Sequence, residues 1–112
     1  MNQYYCANLP RPPISKEYTP YLVMTNMFEM EEVTQDFFEH LKNNLYVICK
    51  QFGEVDKVYI EENEQGNVWI KYHETEAAVN AQSTLIGKEF ENNKIFVYFV
   101  TEDTYYQRVR SF

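Results

Sequence analysis

The residues of this chain best suited to a chemical role are four aromatic side chains. They are Tyr59, Trp69, Phe96 and Tyr98, and each lies in a short run of β-branched and aromatic residues. Successive residues of a strand point to opposite faces of a sheet. If these runs are strands of one sheet, the four rings share a face. Rings displayed in this way can stack on nucleic-acid bases, a contact worth about 1–3 kcal/mol per base.

Other kinds of chemistry have little support in the residue pattern. His40 and His73 stand without cysteine or carboxylate neighbours at metal-ligand spacing. No nucleophile is paired with a base, and Gly53, Gly66 and Gly87 are too dispersed to build a glycine-rich phosphate loop. We therefore predict a non-catalytic protein with no metal ion and no cofactor.

The charge balance argues against a nucleic-acid partner. The 112 residues include 10 Lys and Arg against 17 Asp and Glu, which gives a net charge of -7. Affinity for nucleic acid depends on neutralising phosphates, whereas an acidic surface attracts basic peptides or proteins. The alternative is that the negative charge serves solubility alone. We expect RNA binding by this domain to be weak or absent.

Several features bear on the compartment. Cys6 and Cys49 form no disulfide framework, which is typical of reduced thiols in a cytosolic or nuclear protein. The sequence has no apolar stretch of membrane-spanning length. Residues 1–13 are polar and rich in proline, without the apolar run of a secretory signal.

Hydrophobic periodicity predicts the elements that position the aromatic residues. Apolar runs of strand length occur at Tyr21–Thr25, Val55–Ile60, Val68–Tyr72 and Ile95–Val100. Apolar residues at three- and four-residue steps predict a helix of roughly five turns that begins at Thr34 and is stopped by Gly53. A second helix is predicted after Thr75, which would cap it, and Gly87 would close it.

The resulting order, β-α-β-β-α-β, predicts an α+β domain of the ferredoxin-like class, with a four-stranded antiparallel sheet and two helices on one face. We assign residues 1–19 to a flexible N-terminal tail or linker, 20–101 to the domain and 102–112 to a C-terminal extension. The residues expected to face the helices are Leu22, Met24, Val58, Ile60, Val68, Ile70, Tyr72, Ile95, Val97 and Phe99. The four aromatic residues then lie on the opposite face. Because large apolar patches are rarely left bare, Tyr105 and Tyr106 of the extension could cover them.

The third strand resembles the signature of an RNA-recognition motif (RRM), which stacks bases on aromatic residues of its central strands. Gly66, Trp69, Ile70 and Tyr72 fit that signature. Two stacking positions are changed, because Val23 and Asn67 stand where aromatic residues are usual. The resemblance implies that the scaffold is kept while the RNA-reading face is altered.

Four segments in order resemble a subclass of this family, the U2AF-homology motif (UHM) of splicing factors. They are Leu22–Phe28, Cys49–Gly53, Gln65–Lys71 and Gly87–Phe90. Within the subclass, the chain is most similar to the C-terminal domain of CAPER-type splicing factors. The resemblance implies a nuclear protein of pre-mRNA splicing. Its partner would be a basic, tryptophan-containing peptide motif of another splicing factor, bound on the helix side of the domain.

The residues that the resemblance assigns to peptide binding are Asn44, Ile48, Lys88, Glu89 and Phe90. Phe90 stands at the aromatic position that stacks on the ligand tryptophan. Lys88 replaces the family's arginine and keeps its charge without the planar fork. Asn44 and Ile48 stand where the family presents carboxylates to its basic ligand.

Alternatives remain open at this site. The segment Gly87–Phe90 also fits an ordinary loop of the RRM fold, and Ile48 also fits a core position of the first helix. The alternative function, from a different class, is an RNA-binding domain that uses Tyr59, Trp69 and Phe96.

Overall fold

The chain alternates strands and helices in the predicted ferredoxin-like order. The computed structural model describes residues 14–29, 33–34, 36–62, 66–90 and 92–109. Its elements are β1 (Tyr21–Thr25), α1 (Phe37–Cys49), β2 (Val55–Ile60), β3 (Val68–Tyr72), α2 (Thr75–Leu85), β4 (Glu89–Phe90), β5 (Asn93–Lys94), β6 (Phe96–Phe99) and α3 (Glu102–Arg108). Within these residues, no helix has both the length and the apolar character needed to span a bilayer.

The main sheet has the strand order β2-β3-β1-β6, and all three neighbouring pairs are antiparallel. The main core lies between one face of this sheet and the helices α1 and α2. All ten residues predicted to face the helices are buried in that core. The predicted sheet, helix placement and inward face are therefore confirmed.

Helix α1 begins at Phe37, three residues after the predicted start at Thr34, and its buried stripe is formed by Leu41, Leu45 and Cys49. A 3-10 turn, Lys50–Phe52, continues it to Gly53. Gly53 has φ +154°, and a Cβ at this position would lie 2.5 Å from the Cβ of Ala77 in α2. A side chain here would both strain the backbone and separate the two helices. The prediction that the helix ends at Gly53 is confirmed.

The start of α2 differs from the prediction. Its N-cap is Glu74, in an extended conformation and without a side-chain cap hydrogen bond, so Thr75 is the first helical residue. The Glu74 carbonyl already accepts from the amide of Ala78 at 3.5 Å, which places Thr75 inside the first turn. The prediction that Thr75 caps this helix is therefore wrong.

A small hairpin, β4 with β5, lies between α2 and β6 and was not predicted. Asn92 adopts φ +74° at its turn, a conformation that Asn tolerates better than most residues. Strands of two residues carry no periodicity, so the sequence pattern could not reveal this hairpin.

Residues 14–19 run beside the end of β6. The amide of Ser15 donates to the carbonyl of Phe99 at 2.7 Å, and the ring of Tyr18 lies 5.1 Å from that of Phe99. The Thr19 hydroxyl donates to the Val100 carbonyl. The rest of the predicted tail, residues 1–13, lies outside the described residues.

Candidate functional site

The sheet face opposite α1 and α2, hereafter the outer face, is covered by helix α3. A second hydrophobic cluster forms there from Tyr21, Val23, Trp69, Val100, Tyr105 and Val109, with Tyr59 and Tyr98 packed at its margin. Thr101 is the N-cap of α3, and its hydroxyl accepts from the amide of Thr104 at 3.2 Å. Residues 102–109 of the C-terminal extension therefore fold back as a third layer over Tyr21 and Trp69 of the sheet.

Tyr105 is the central contact of this cover. Its side chain is 1% exposed, and its ring lies 4.8 Å from that of Tyr21 and 6.3 Å from that of Trp69. Its buried hydroxyl has no hydrogen-bond partner among the described residues. Burial raises the pKa of Tyr105 well above its usual value. The closed arrangement thus carries the cost of one unsatisfied hydroxyl.

Tyr106 covers the face from its rim. Its side chain is 45% exposed, and its ring meets Tyr21 edge-on with centroids 5.8 Å apart. The Lys71 ammonium donates to the Tyr106 hydroxyl at 2.9 Å. This hydrogen bond raises the pKa of Lys71 and ties β3 to α3.

A carboxylate at the end of β2 fastens the other end of α3. Oε1 of Glu61 accepts from Nε1 of Trp69 at 2.8 Å and from Nδ2 of Asn67 at 3.2 Å. It also accepts from Nη2 of Arg108 at 3.0 Å, while Oε2 accepts from Nε of Arg108 at 3.1 Å. The Arg108 guanidinium lies 5.5 Å from the centre of the Trp69 ring.

Neither Glu61 nor Arg108 was predicted from the sequence as part of a site. Glu61 opens an acidic run that is typical of a turn, and Arg108 lies in a segment without periodicity. Asn67 was the residue that could have indicated them. It stands where the RRM signature has an aromatic residue, and a buried side-chain amide needs a hydrogen-bond acceptor nearby.

The residues of the RNA-binding alternative are therefore separated. Trp69 is fully buried under α3, and Tyr59 is half-buried at its margin. Phe96 is 36% exposed and lies parallel to Tyr98, with ring centroids 6.5 Å apart. Among the described residues, the β6 margin of the outer face still displays rings to solvent, as does Tyr106 at the rim of α3.

The five residues assigned to peptide binding lie on two elements of the helix side. Asn44, exposed, and Ile48, half-buried, are one turn apart on α1, while Lys88 and Glu89 are exposed and Phe90 is half-buried in β4. Among the described residues, no hydrogen bond or ring contact joins the α1 pair to the 88–90 segment. Phe90 packs against the main core, whereas Ile48 lies outside the side chains that do so.

The segment around Lys88 is held by main-chain hydrogen bonds. The amide of Lys88 donates to the carbonyl of Leu85 at 3.1 Å, and the Lys88 carbonyl accepts from the amide of Ile95 at 2.9 Å. The amide of Gly87 donates to the carbonyl of Ile95 at 2.9 Å. These bonds connect the end of α2 to the start of β6, so Lys88 and Phe90 are presented on a fixed backbone.

His73 is not isolated, contrary to the sequence analysis. Antiparallel pairing places the end of β3 beside the start of β2, and the ligand atoms of Glu54, Asp56 and His73 lie within 4.8 Å of one another. Nδ1 of His73 is 3.7 Å from Oδ1 of Asp56. All three residues are exposed, and we assign no metal ion to them.

Comparison with known proteins identifies the architecture. No protein-family model matches the chain, and no curated protein matches it. Among 427 matching chains of solved structures is the RNA15 RRM, with a TM-score of 0.60 over 78% of this chain and 95% of that chain. The chain has the fold of an RRM. At 11% identity this likeness concerns the fold alone, so the function of this RRM-like domain must be argued from its own residues.

Proposed function

We propose that this chain is a non-catalytic, UHM-like interaction domain of a nuclear pre-mRNA splicing factor. It binds a basic, tryptophan-containing peptide of another splicing factor on its helix side. The observation that carries the proposal is the closed outer face, where Trp69 is fully buried and its Nε1–H is bonded to Glu61. An RRM-like sheet covered in this way does not offer its central ring for base stacking. The helix side then remains available to a partner.

Phe90 and Ile48 support a peptide site on that side. Phe90 is an aromatic residue that remains half-exposed although the main core supports it, as a wall for a ligand ring requires. Ile48 is partly exposed and not packed in the core, so it is free to contact a ligand. Glu89 is exposed beside Phe90 and offers a carboxylate to a basic ligand. The net charge of -7 favours the same partner.

The test is an NMR titration of the whole chain with a capped peptide that has one tryptophan among arginine residues. We expect shifts at Ile48, Lys88 and Phe90. Phe90→Ala should weaken binding by about 2 kcal/mol or more, in the range of hot-spot truncations. Phe90→Leu is the companion variant, because it keeps apolar packing while removing the aromatic wall. A peptide with alanine in place of tryptophan should not bind. Equal affinity for both peptides would refute the proposal.

A charge variant on α1 tests the electrostatic part separately. Ile48→Glu restores a carboxylate that faces the basic ligand, so it should tighten binding and increase its salt dependence. Val47→Glu is the matched control: Val47 is the preceding residue of α1, is 52% exposed, and should tolerate the same charge. If both variants tighten binding equally, the effect is one of net charge and not of a site at Ile48.

RNA binding is the second candidate, because Phe96 is exposed and Tyr98 half-exposed at the β6 margin. A titration with single-stranded oligouridylate at physiological salt tests it. We expect weak binding or none. Micromolar affinity that falls on Phe96→Ala, with the tryptophan peptide inactive, would favour the RNA-binding candidate over the peptide-binding one.

A further inference from the structure

The two edges of the main sheet are not equivalent. On β6, the carbonyl of Phe99 accepts from the amide of Ser15 at 2.7 Å, and the carbonyl of Val97 accepts from the side-chain amide of Gln82 at 3.0 Å. On β2, the other edge strand, no hydrogen bond from the described residues reaches the outward side of the backbone. As far as the described residues show, the edge at β2 therefore has room for a further strand.

The register identifies which groups of β2 point outward. The amide of Glu61 donates to the carbonyl of Asn67 at 3.0 Å, and the preceding pair is Ile60 with Val68. Antiparallel pairs alternate between bonded and non-bonded positions. Tyr59 therefore directs its N–H and C=O toward β3, whereas Val58 and Ile60 direct theirs away from the sheet. Two donors and two acceptors therefore point away from β3 along this edge, on residues that are 4% exposed (Val58) and 9% exposed (Ile60).

A groove of about 350 Å³ runs beside the same edge, between α1 and β2. It is lined by Lys42, Asn43, Tyr46, Asp56, Lys57 and Val58. The groove supplies an apolar floor at Val58, the half-exposed ring of Tyr46, and two ammonium groups. Its one carboxylate, on Asp56, faces His73 at 3.7 Å. The lining therefore carries two lysines and one carboxylate, and the carboxylate of Glu54 lies within 4.8 Å of that of Asp56.

We propose that an extended segment of another protein adds to β2 as an antiparallel strand in this groove. Its backbone would pair with Val58 and Ile60, as in strand addition at an open sheet edge. It would carry a carboxylate toward Lys42 and Lys57 among β-branched residues. A second copy of this chain fits less well, since it would bring its own two lysines to the edge. The site is separate from the tryptophan-peptide site, and neither depends on the other.

Amide hydrogen exchange of the whole chain gives a direct test. The probe is a short capped peptide in which valine and threonine alternate around one central aspartate. In the free chain, the amides of Val58 and Ile60 should exchange much faster than that of Tyr59. Saturating peptide should slow exchange at Val58 and Ile60 and leave Tyr59 unchanged. Binding without protection of these two amides would overturn the proposal, as would no binding at millimolar peptide.

Charge reversal tests the chemistry of the occupant. Lys42→Glu should lower the affinity for the aspartate peptide at least about tenfold, because like charges would meet in the groove. The matched control is Lys94→Glu, an exposed lysine on β5, which should leave affinity unchanged. A peptide with lysine in place of aspartate should bind Lys42→Glu better than wild type. Protection of Val58 and Ile60 that grows with protein concentration alone would instead assign the edge to a second copy.

Discussion

The attachment of α3 through Glu61 leads to a quantitative prediction. Glu61→Ala removes the acceptor of the buried Trp69 Nε1–H, and an unsatisfied buried donor costs about 1–3 kcal/mol. It also removes the ion pair with Arg108. In this pair the Glu61 side chain is 12% exposed and the Arg108 side chain is 22% exposed. Solvent partly screens that pair, so its charge-assisted bonds contribute about 1 kcal/mol. We expect Glu61→Ala to lower the free energy of unfolding by about 3 kcal/mol, the sum of these two contributions.

Two further variants separate these contributions. Glu61→Gln keeps one acceptor oxygen for the indole but loses the charge and one of the two acceptors of Arg108, so it should cost about 1 kcal/mol. Arg108→Met removes the cation while retaining apolar packing over Trp69, and it should also cost about 1 kcal/mol. Because both changes disrupt the same pair, the double variant should cost less than the sum.

Urea unfolding measures each value, and Trp69 is a built-in reporter because it is the one tryptophan of the chain. Exposure of its ring should shift the fluorescence to longer wavelength. An Arg108→Met variant as unstable as Glu61→Ala would refute the reasoning, since the indole bond would then contribute nothing. Strict additivity of Glu61→Gln and Arg108→Met would also contradict it.

Other parts of the fold give four more predictions. Tyr105→Phe should leave stability unchanged or raise it, because the Tyr105 hydroxyl is buried without a partner among the described residues. Tyr72→Phe should cost about 1 kcal/mol, because it loses the bond to the Cys49 carbonyl. Thermal melts check both variants. Burial raises the pKa of the Tyr72 and Tyr105 phenols. The stability that their neutral forms contribute is therefore present below about pH 10 and lost as pH rises above it. Urea midpoints measured across alkaline pH check this. Gly66→Ala should destabilise more than Gly87→Ala in urea unfolding. Both glycines have positive φ, but a Cβ on Gly66 would lie 2.8 Å from a backbone carbonyl oxygen, whereas one on Gly87 meets nothing. Burial raises the pKa of Cys49 to about 11, so with the other cysteine replaced by serine the native chain should resist iodoacetamide at about pH 8 until urea is added.

The regular part of this fold could be predicted because its periodicity is long. Leu41, Leu45 and Cys49 recur at helical spacing over about two turns, and the alternation from Val68 to Tyr72 fixes which side of β3 meets the helices. These two patterns left few ways to pack α1 against the sheet. Both signals were sufficient to place the strands, the inward face and the end of α1.

The parts that could not be predicted depend on single contacts. The covering of the sheet by Tyr105 and Tyr106 was predicted, but the helix that carries them was not. Helix α3 has seven residues, too few for a periodic pattern, and its end is attached by the bonds between Arg108 and Glu61. The proximity of His73 to Asp56 arises from strand pairing, which the spacing of residues along the chain does not include. The proposed peptide residues remain predictions, since they lie on α1 and on the 88–90 segment without a direct contact to test them.

The replacement of a stacking aromatic by Asn67 has a consequence for how related chains can be recognised. Asn67, Glu61 and Arg108 form one hydrogen-bonded set with Trp69, although Arg108 is far away in sequence. A chain with an aromatic residue at position 67 would lose this donor to Glu61. The three positions should therefore change together during divergence. Their joint pattern is a marker by which covered sheets could be distinguished from open ones in the amino-acid sequence alone.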